Sequence, residues 1–321
     1  MENKKLIIID SNSVIHRAFH ALPPLSTKKG EIVNAVYGFL LVFFKAIKDF
    51  NPAFVAAAFD FPAPTLRHKK YVKYKAKRPK APPELYLQIP VVKEVLEAFG
   101  VPVFEEEGYE ADDIIGTIAS LAPKKQVLPK IETIILSGDL DSLQLVNENT
   151  KVFALRKGVK DIVLYDEFLV KEKFGGLAPA QLLDYKALRG DPSDNIPGVT
   201  GIGEKTAIDL LSKFKSLKSI YGEIEENSEK SKNIKPKTRE LLIKYKDQAL
   251  ISRDLAEINK NSPIDFDIKE CAFGEYDVEK AKEVLEKLEF YTLIPRMPGQ
   301  RPASQAIVKE DKIIGENLKL W

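Results

Sequence analysis

Residues 188–211 read LRGDPSDNIPGVTGIGEKTAIDLL, an order that joins a pair of acids to a glycine hairpin and then a helix. Asp191 and Asp194 stand three residues apart and lead into Gly198, Gly201 and Gly203. Residues without a Cβ permit a tight turn whose backbone N–H groups a ligand can approach. A helix is predicted from about Glu204, and its N-terminus adds unpaired N–H groups and the positive end of a dipole. Lys205 supplies a cation at the same place, so a phosphate is the natural guest. Ile202 between the glycines, with Ala207, Ile208, Leu210 and Leu211 behind, gives the form of a helix-hairpin-helix, which holds a nucleic-acid backbone without reading bases. Gly198, Gly201, Gly203, Lys205 and Thr206 are its candidate contacts. GVTGIGEKT is not a phosphate-binding loop of the NTPase type. Counted from Gly198 to Gly203, Glu204 stands where the lysine belongs.

The 321 residues give ample core for two domains, or for one with an appended module. A net charge of +2 excludes a uniformly basic coat, so any basic surface has to be local. The single cysteine, Cys271, excludes a disulfide framework and a cysteine zinc site and fits a reducing cytoplasm. With three histidines, a metal site has to be built from oxygen ligands, which suits Mg²⁺ or Mn²⁺. No segment has the form of a signal peptide or approaches the roughly 20 apolar residues of a membrane span.

Residues 5–9 form a continuous apolar run of the kind a buried parallel strand requires, and it stops at Asp10. Residues 54–59 form a second such run ending at Asp60, and residues 131–136 are read as a third buried strand, closing on Ser137-Gly138-Asp139-Leu140-Asp141. Between 33 and 50 the chain is apolar on nearly every face, predicting a buried helix. Strands alternating with helices imply an open α/β sheet, in which ligands bind outside the carboxyl ends of the strands. Asp10, Asp60, Asp139 and Asp141 should therefore converge. A lone aspartate after a strand is commonly a helix cap, but the pattern recurs after three strands. A further group, Glu110, Asp112 and Asp113, falls in the first turn of a helix whose buried face is Ile114, Ile118 and Leu121. Three carboxylates within four residues repel one another, and a divalent cation would remove the conflict. With Asp191 and Asp194 there are nine acids in five segments, enough for two ions. Two such ions clamp the attacking and leaving oxygens of a phosphate ester, which suits a phosphohydrolase as well as a nuclease.

The segment 61–83, FPAPTLRHKKYVKYKAKRPKAPP, distinguishes them. It carries Arg67, Lys69, Lys70, Lys73, Lys75, Lys77, Arg78 and Lys80 and no acid. Eight cations in 23 residues are too concentrated for an ordinary solvated face. Tyr71 and Tyr74 are interleaved, with rings able to stack on unpaired bases. The partner is polyanionic.

Together, Asp10, YEADD (109–113), SGDLDSLQLV (137–146) and GDPSDNIPGVTGIGEKTA (190–207) resemble the 5′-nuclease family, that is, the N-terminal 5′→3′ exonuclease domain of bacterial DNA polymerase I and its flap-endonuclease relatives. The resemblance runs from about Lys5 to Pro295. It implies an α/β fold of PIN-like (FEN-like) type, a twisted, mainly parallel sheet flanked by helices, with a helix-hairpin-helix (H3TH) DNA-binding module that a K⁺ ion assists. It also implies a helical arch over the active site at 61–83. Of two Mg²⁺ (or Mn²⁺), Asp60, Glu110 and Asp112 would serve the first, with Asp10 and Asp113 close by. Asp139, Asp141, Asp191 and Asp194 would form the second site. Lys75 and Arg78 match the arch cations that contact the scissile phosphate, and Tyr74 would stack on the displaced base. The implied substrate is branched or nicked duplex DNA with a free 5′ end, RNA-primed ends included, cut by a monomer in the bacterial cytoplasm and nucleoid. Ser11, His16 and Leu140 depart from the family's usual residues without removing a ligand.

The expected domains are a catalytic domain at 1–185, the DNA-binding module with its closing helix at 186–296, and a linker and tail at 297–321, where GENLKLW is faintly similar to a polymerase proofreading segment. A non-catalytic DNA binder would have lost carboxylates, and a PIN-like RNA nuclease would lack the hairpin.

Overall fold

The computed structural model describes residues 4–124 and 130–299; the tail from residue 300 onward, with its GENLKLW segment, lies outside the described residues. Six strands build one sheet: β1 (Lys4–Asp10), β2 (Phe54–Ala58), β3 (Val103–Phe104), β4 (Ile131–Ser137), β5 (Thr150–Lys157) and β6 (Asp161–Tyr165). Their spatial order is β3-β2-β1-β4-β5-β6, parallel throughout except for the antiparallel edge pair β5 and β6. The sheet is therefore of the mainly parallel, doubly wound kind. The order reverses between β1 and β4, and in such sheets the crevice outside the strand ends at the reversal is where ligands bind. That crevice is bounded by the carboxyl ends of β1 and β4, the ends that carry Asp10 and the 137–141 segment.

The alternation of a strand's side chains builds two cores. Ile7, Ile9, Val55, Ala57, Ile134 and Leu136 face the helices Ser11–Ala21, Asn34–Phe50 and Gln88–Ala98. Leu6, Ile8, Ala56, Ala58, Ile131 and Ile135 face the helix Ala111–Leu121 on the other side. A strand covered on both faces needs apolar residues at every position, which is why residues 6–9 are uninterrupted and fully buried.

A third core lies in the module. The helices Leu182–Arg189, Glu204–Phe214, Leu217–Glu225, Pro236–Lys244 and Lys246–Ala256 pack around Leu188, Val199, Leu211, Phe214, Ile220 and Leu242. The closing helix Val278–Lys287 departs from the sequence expectation, which grouped it with the module. Ala281 and Leu285 on this helix, with Leu288, Phe290 and Leu293 after it, return to the first core of the sheet domain.

The segment 61–83 also differs from a continuous helical arch. Only Leu66–Lys70 is helical before the short helix Pro83–Tyr86, with turns to residue 78 and no regular structure from 79 to 82. Crowded like charges and the prolines at 79, 82 and 83 disfavour a longer helix. Among the described residues no helix is long and apolar enough to cross a membrane.

Candidate active site

Asp10 ends β1 and caps the helix Ser11–Ala21, its Oδ1 accepting from the Ser13 N–H at 3.2 Å. Across the strand reversal, the Ser137 hydroxyl at the end of β4 donates to Asp10 Oδ2 at 2.6 Å. Asp60, just beyond β2, accepts from the Ala111 N–H at 2.8 Å, so the second strand is tied to the helix that carries Asp112. Asp139 accepts from the Asp141 N–H at 2.9 Å, which folds the loop after β4 back on itself. The result is a cavity of about 350 Å³ at the strand ends, into which Asp10, Asp60, Glu110, Asp112, Asp139 and Asp194 all open. Six of the nine expected acids from all five segments meet there. Lys75 and Arg78 from the arch line the same cavity.

The other three acids are committed elsewhere. Asp113 takes a two-pronged contact from Arg67 at 2.6 and 2.7 Å and accepts from the N–H groups of Glu110 and Asn259. Arg67 in turn donates to the carbonyls of Leu255 and Glu257. Both residues were expected to meet metal or DNA; in the structure they form an internal ion pair that fastens the arch to the sheet domain and to the module's last helix. Asp141 and Asp191 converge on Lys186, which lies 2.8 Å from Asp191 Oδ2 and also pairs with Asp141. Despite burial, Lys186 and Ser193 hold the Asp191 carboxyl at about 2, whereas burial beside Asp139 pushes Asp141 up to about 7.

Tyr74 corrects another expectation. Its ring is buried, and its hydroxyl donates to Glu110 at 3.0 Å and to Asp194 at 3.3 Å, so it cannot stack on a base in this arrangement. Burial, with Glu110 and Asp194 nearby, drives the phenol's pKa upward and keeps it a donor. Lys75 Nζ lies 3.0 Å from Glu110, and Arg78 pairs with Asp194. Although burial opposes it, Lys75 and Arg67 hold Glu110 below the usual carboxylate range. Lys70 pairs with Asp254 at the surface, while Lys69, Lys73 and Lys77 stand exposed and Tyr71 is partly covered.

Asp10 and Asp112 carry the uncompensated charge. Burial, with Asp139 and Asp60 close by, pushes Asp10 up to about 6 in spite of its serine partners. Burial and then Asp10, Asp139 and Asp141 push Asp112 well above its usual value, and its Oδ1 is buried without a hydrogen-bond partner. Among the described residues no three acid or imidazole side chains come close enough to share one ion. Lysine and arginine instead take the places beside Glu110, Asp141, Asp191 and Asp194. The donor set, all oxygen with one orphaned acceptor among like charges, fits a hard divalent cation.

At the hairpin, Gly198 has φ +62° and Gly201 φ +88°. A Cβ at Gly198 would stand 2.2 Å from the Gly190 nitrogen, so this turn admits nothing larger. Gly203 precedes the helix Glu204–Phe214 with open space in front of it, Lys205 is exposed and Thr206 half-buried. The Gly198 N–H and carbonyl are held by Ser252 and Gln248, which ties the hairpin to the helix Lys246–Ala256.

Lys186 is a residue the sequence reading passed over, and its place five residues before Asp191, in the last turn of a helix, was the available signal. Arg17, which reaches the Gly138 carbonyl at 2.7 Å, gave no comparable pattern.

Comparison with known proteins agrees with this architecture. Residues 5–175 match the family model described as 5′-3′ exonuclease, N-terminal resolvase-like domain, and residues 177–279 match the 5′-3′ exonuclease, C-terminal SAM fold. A 5′-3′ exonuclease of Aquifex aeolicus is 40% identical over 291 residues, covering 91% of this chain and 94% of that protein. DNA polymerase I of Bacillus subtilis is 43% identical over 296 residues, covering 92% of this chain but 32% of the polymerase. The chain thus spans about a third of the length of the polymerase relatives it matches. Among solved structures, T5 5′-exonuclease with bound zinc has a TM-score of 0.64 at 18% identity, covering 90% of this chain and 98% of that one. The catalytic core of Rad2 with DNA substrate has a TM-score of 0.55 at 16% identity, covering 92% and 93%. These two likenesses concern the fold. Two matched domains covering nearly all of the described residues, on a sheet whose reversal point gathers the acids, establish that the chain belongs to the 5′-3′ exonuclease family.

Proposed function

We propose that this chain hydrolyses DNA phosphodiesters from a free 5′ end, as a magnesium-dependent 5′→3′ exonuclease and structure-specific 5′-flap endonuclease, leaving a 5′-phosphate and a 3′-hydroxyl. The reading is carried by one observation: six acids from five segments open into a single cavity that Lys75 and Arg78 also line. Residues 1–185 together with Asp191 and Asp194 would carry the chemistry, and the helices and hairpin between 196 and 256 the grip on duplex DNA. The Aquifex relative's name and the T5 and Rad2 titles, which mention divalent metal and DNA substrate, support this reading.

Asp10, Asp60, Glu110 and Asp112 would hold one Mg²⁺ or Mn²⁺, and Asp139, Asp141, Asp191 and Asp194 a second. When bound, two such ions would supply Lewis-acid activation of water and neutralisation of developing charge. The protein's own groups do the rest. Ser137 and Ser13 fix the Asp10 carboxylate, and Tyr74 orients Glu110 against Asp194 by donating to both. Lys75 and Arg78, once the acids are otherwise neutralised, turn from Glu110 and Asp194 to the scissile phosphate. The Arg78 side chain, 45% exposed, has room for that movement. Lys186, which pairs with Asp141 and Asp191, would give both up to the second ion. The hairpin holds the duplex backbone, assisted by K⁺, and sets its distance from the cavity. A free 5′ end, DNA or RNA-primed, passes beneath 61–83, and the unit acts as a monomer in the bacterial cytoplasm.

Asp139→Asn tests the assignment, because Asp139 opens into the cavity without an ion pair to the arch. It should keep duplex affinity within about twofold while single-turnover cleavage falls at least ~100-fold. Cleavage at the wild-type rate would remove Asp139 from the reaction.

A further inference from the structure

The loop between the last two acids and the hairpin closes on itself, through Asp191 N–H to the Ile196 carbonyl at 2.9 Å and Ile196 N–H to the Asp191 carbonyl at 2.8 Å. Its outer edge lies against the tip of the arch. Lys75 N–H donates to the Asp194 carbonyl at 2.9 Å, and the Asn195 side-chain amide donates to the Lys73 carbonyl at 2.6 Å. The Arg78 guanidinium adds a contact to the Ser193 carbonyl at 3.4 Å. Two residues at this crossing have left-handed backbone, Lys75 with φ +53° and Asn195 with φ +56°. Asparagine tolerates that region and lysine does not. The lysine that faces Glu110 is therefore held in an unfavourable backbone by its contacts with 194–195.

Asn195 differs from its neighbours in what its side chain meets. Asp194 and Arg78 open into the acid cavity, whereas the Asn195 amide touches arch backbone alone. Two residues further on, Gly198 is fixed by Ser252 and Gln248. Arch tip, acid loop and hairpin are thus one hydrogen-bonded unit. We propose that Asn195 is a positioning residue for cleavage: its amide latches the arch tip to the acid loop and holds the Lys75 and Arg78 backbone where both side chains reach the scissile phosphate. The inference rests on the nuclease reading above and adds to it the coupling between the DNA-holding hairpin and the arch.

Two variants of the full chain separate the side chain from the backbone. Asn195→Gly keeps the left-handed conformation and removes the donor. Asn195→Asp keeps size and conformation but turns an acceptor towards the Lys73 carbonyl. Limited trypsin digestion after Lys73, Lys75 and Lys77 should be about tenfold faster in both, because opening of the tip controls cleavage there. Single-turnover cutting of a 5′-flap DNA in Mg²⁺ should fall at least about tenfold, with duplex Kd within about twofold and the melting temperature unchanged. Digestion and cutting at wild-type rates in Asn195→Gly would overturn the latch. A parallel loss of duplex affinity would also overturn it, making Asn195 part of the DNA grip. If the wild-type chain fails to cut the flap, the nuclease reading falls, and the digestion result still decides whether the latch exists.

Discussion

Asp113 and Asp139 are both aspartates in acid-rich motifs, yet their surroundings divide them. Asp113, with a nearly buried side chain, accepts from Arg67 and two backbone N–H groups, so its removal leaves a buried guanidinium with only the more distant Glu110, at 3.4 Å, as counter-charge. Breaking such a pair from one side costs about 3–5 kcal/mol. Asp113→Ala should lower the unfolding free energy obtained from urea denaturation by that amount, while unchanged stability with lost cleavage would return Asp113 to the ligand set. The sequence pattern could not separate the two, because an acid in the first turn of a helix suits a metal, the dipole and an arginine equally. Lys186 was obscured for a similar reason: a lysine in a helix's last turn is favourable with no further role. Cys271 gives a simpler expectation. Burial pushes its thiol up to about 12, so it should resist iodoacetamide at neutral pH in the folded protein and react only on unfolding.

At the scale of elements, the strands that decide the site were readable because a parallel strand covered on both faces leaves a distinctive unbroken apolar run. β1 and β2 carry such runs and β4 ends in one at Ile134, Ile135 and Leu136, while the two-residue β3, the edge-paired β5 and the half-exposed β6 were not foreseen. The hairpin was readable from its glycines, since the turn at Gly198 excludes any side chain. Gly198→Ala should cost more than about 2 kcal/mol by thermal melting and lower duplex affinity, because both the positive φ and the contact with Gly190 oppose it. Wild-type stability in that variant would contradict the packing described. The arch was legible as charge but not as conformation. Its sequence does not reveal that Tyr74 turns inward between Glu110 and Asp194, since that placement depends on acids 36 and 120 residues away. Lys75→Ala should lower the cleavage rate at least about tenfold with little change in duplex affinity, and the opposite pattern would mean that the segment only attracts DNA.

Across the whole molecule, the chain returns to its starting point. Ala281, Leu285, Leu288, Phe290 and Leu293 complete the first core of the sheet domain, where the closing helix packs against Gln88–Ala98, far earlier in the chain. Their burial contributes about 10 kcal/mol, comparable with the 5–15 kcal/mol that holds a typical domain folded. A chain ending at residue 276 should therefore lose cooperative unfolding in calorimetry even though it keeps every candidate site residue. On the proposed reading, the acid cavity cuts DNA at a free 5′ end under the arch. Cleavage of a 5′-labelled double-flap DNA in Mg²⁺ and in EDTA, beside a single-stranded RNA and a bubble lacking a free 5′ end, tests it most directly. Metal-dependent cutting at the base of the flap is expected, with the RNA and the bubble left intact; binding without cutting, or cutting of the RNA instead, would overturn that reading.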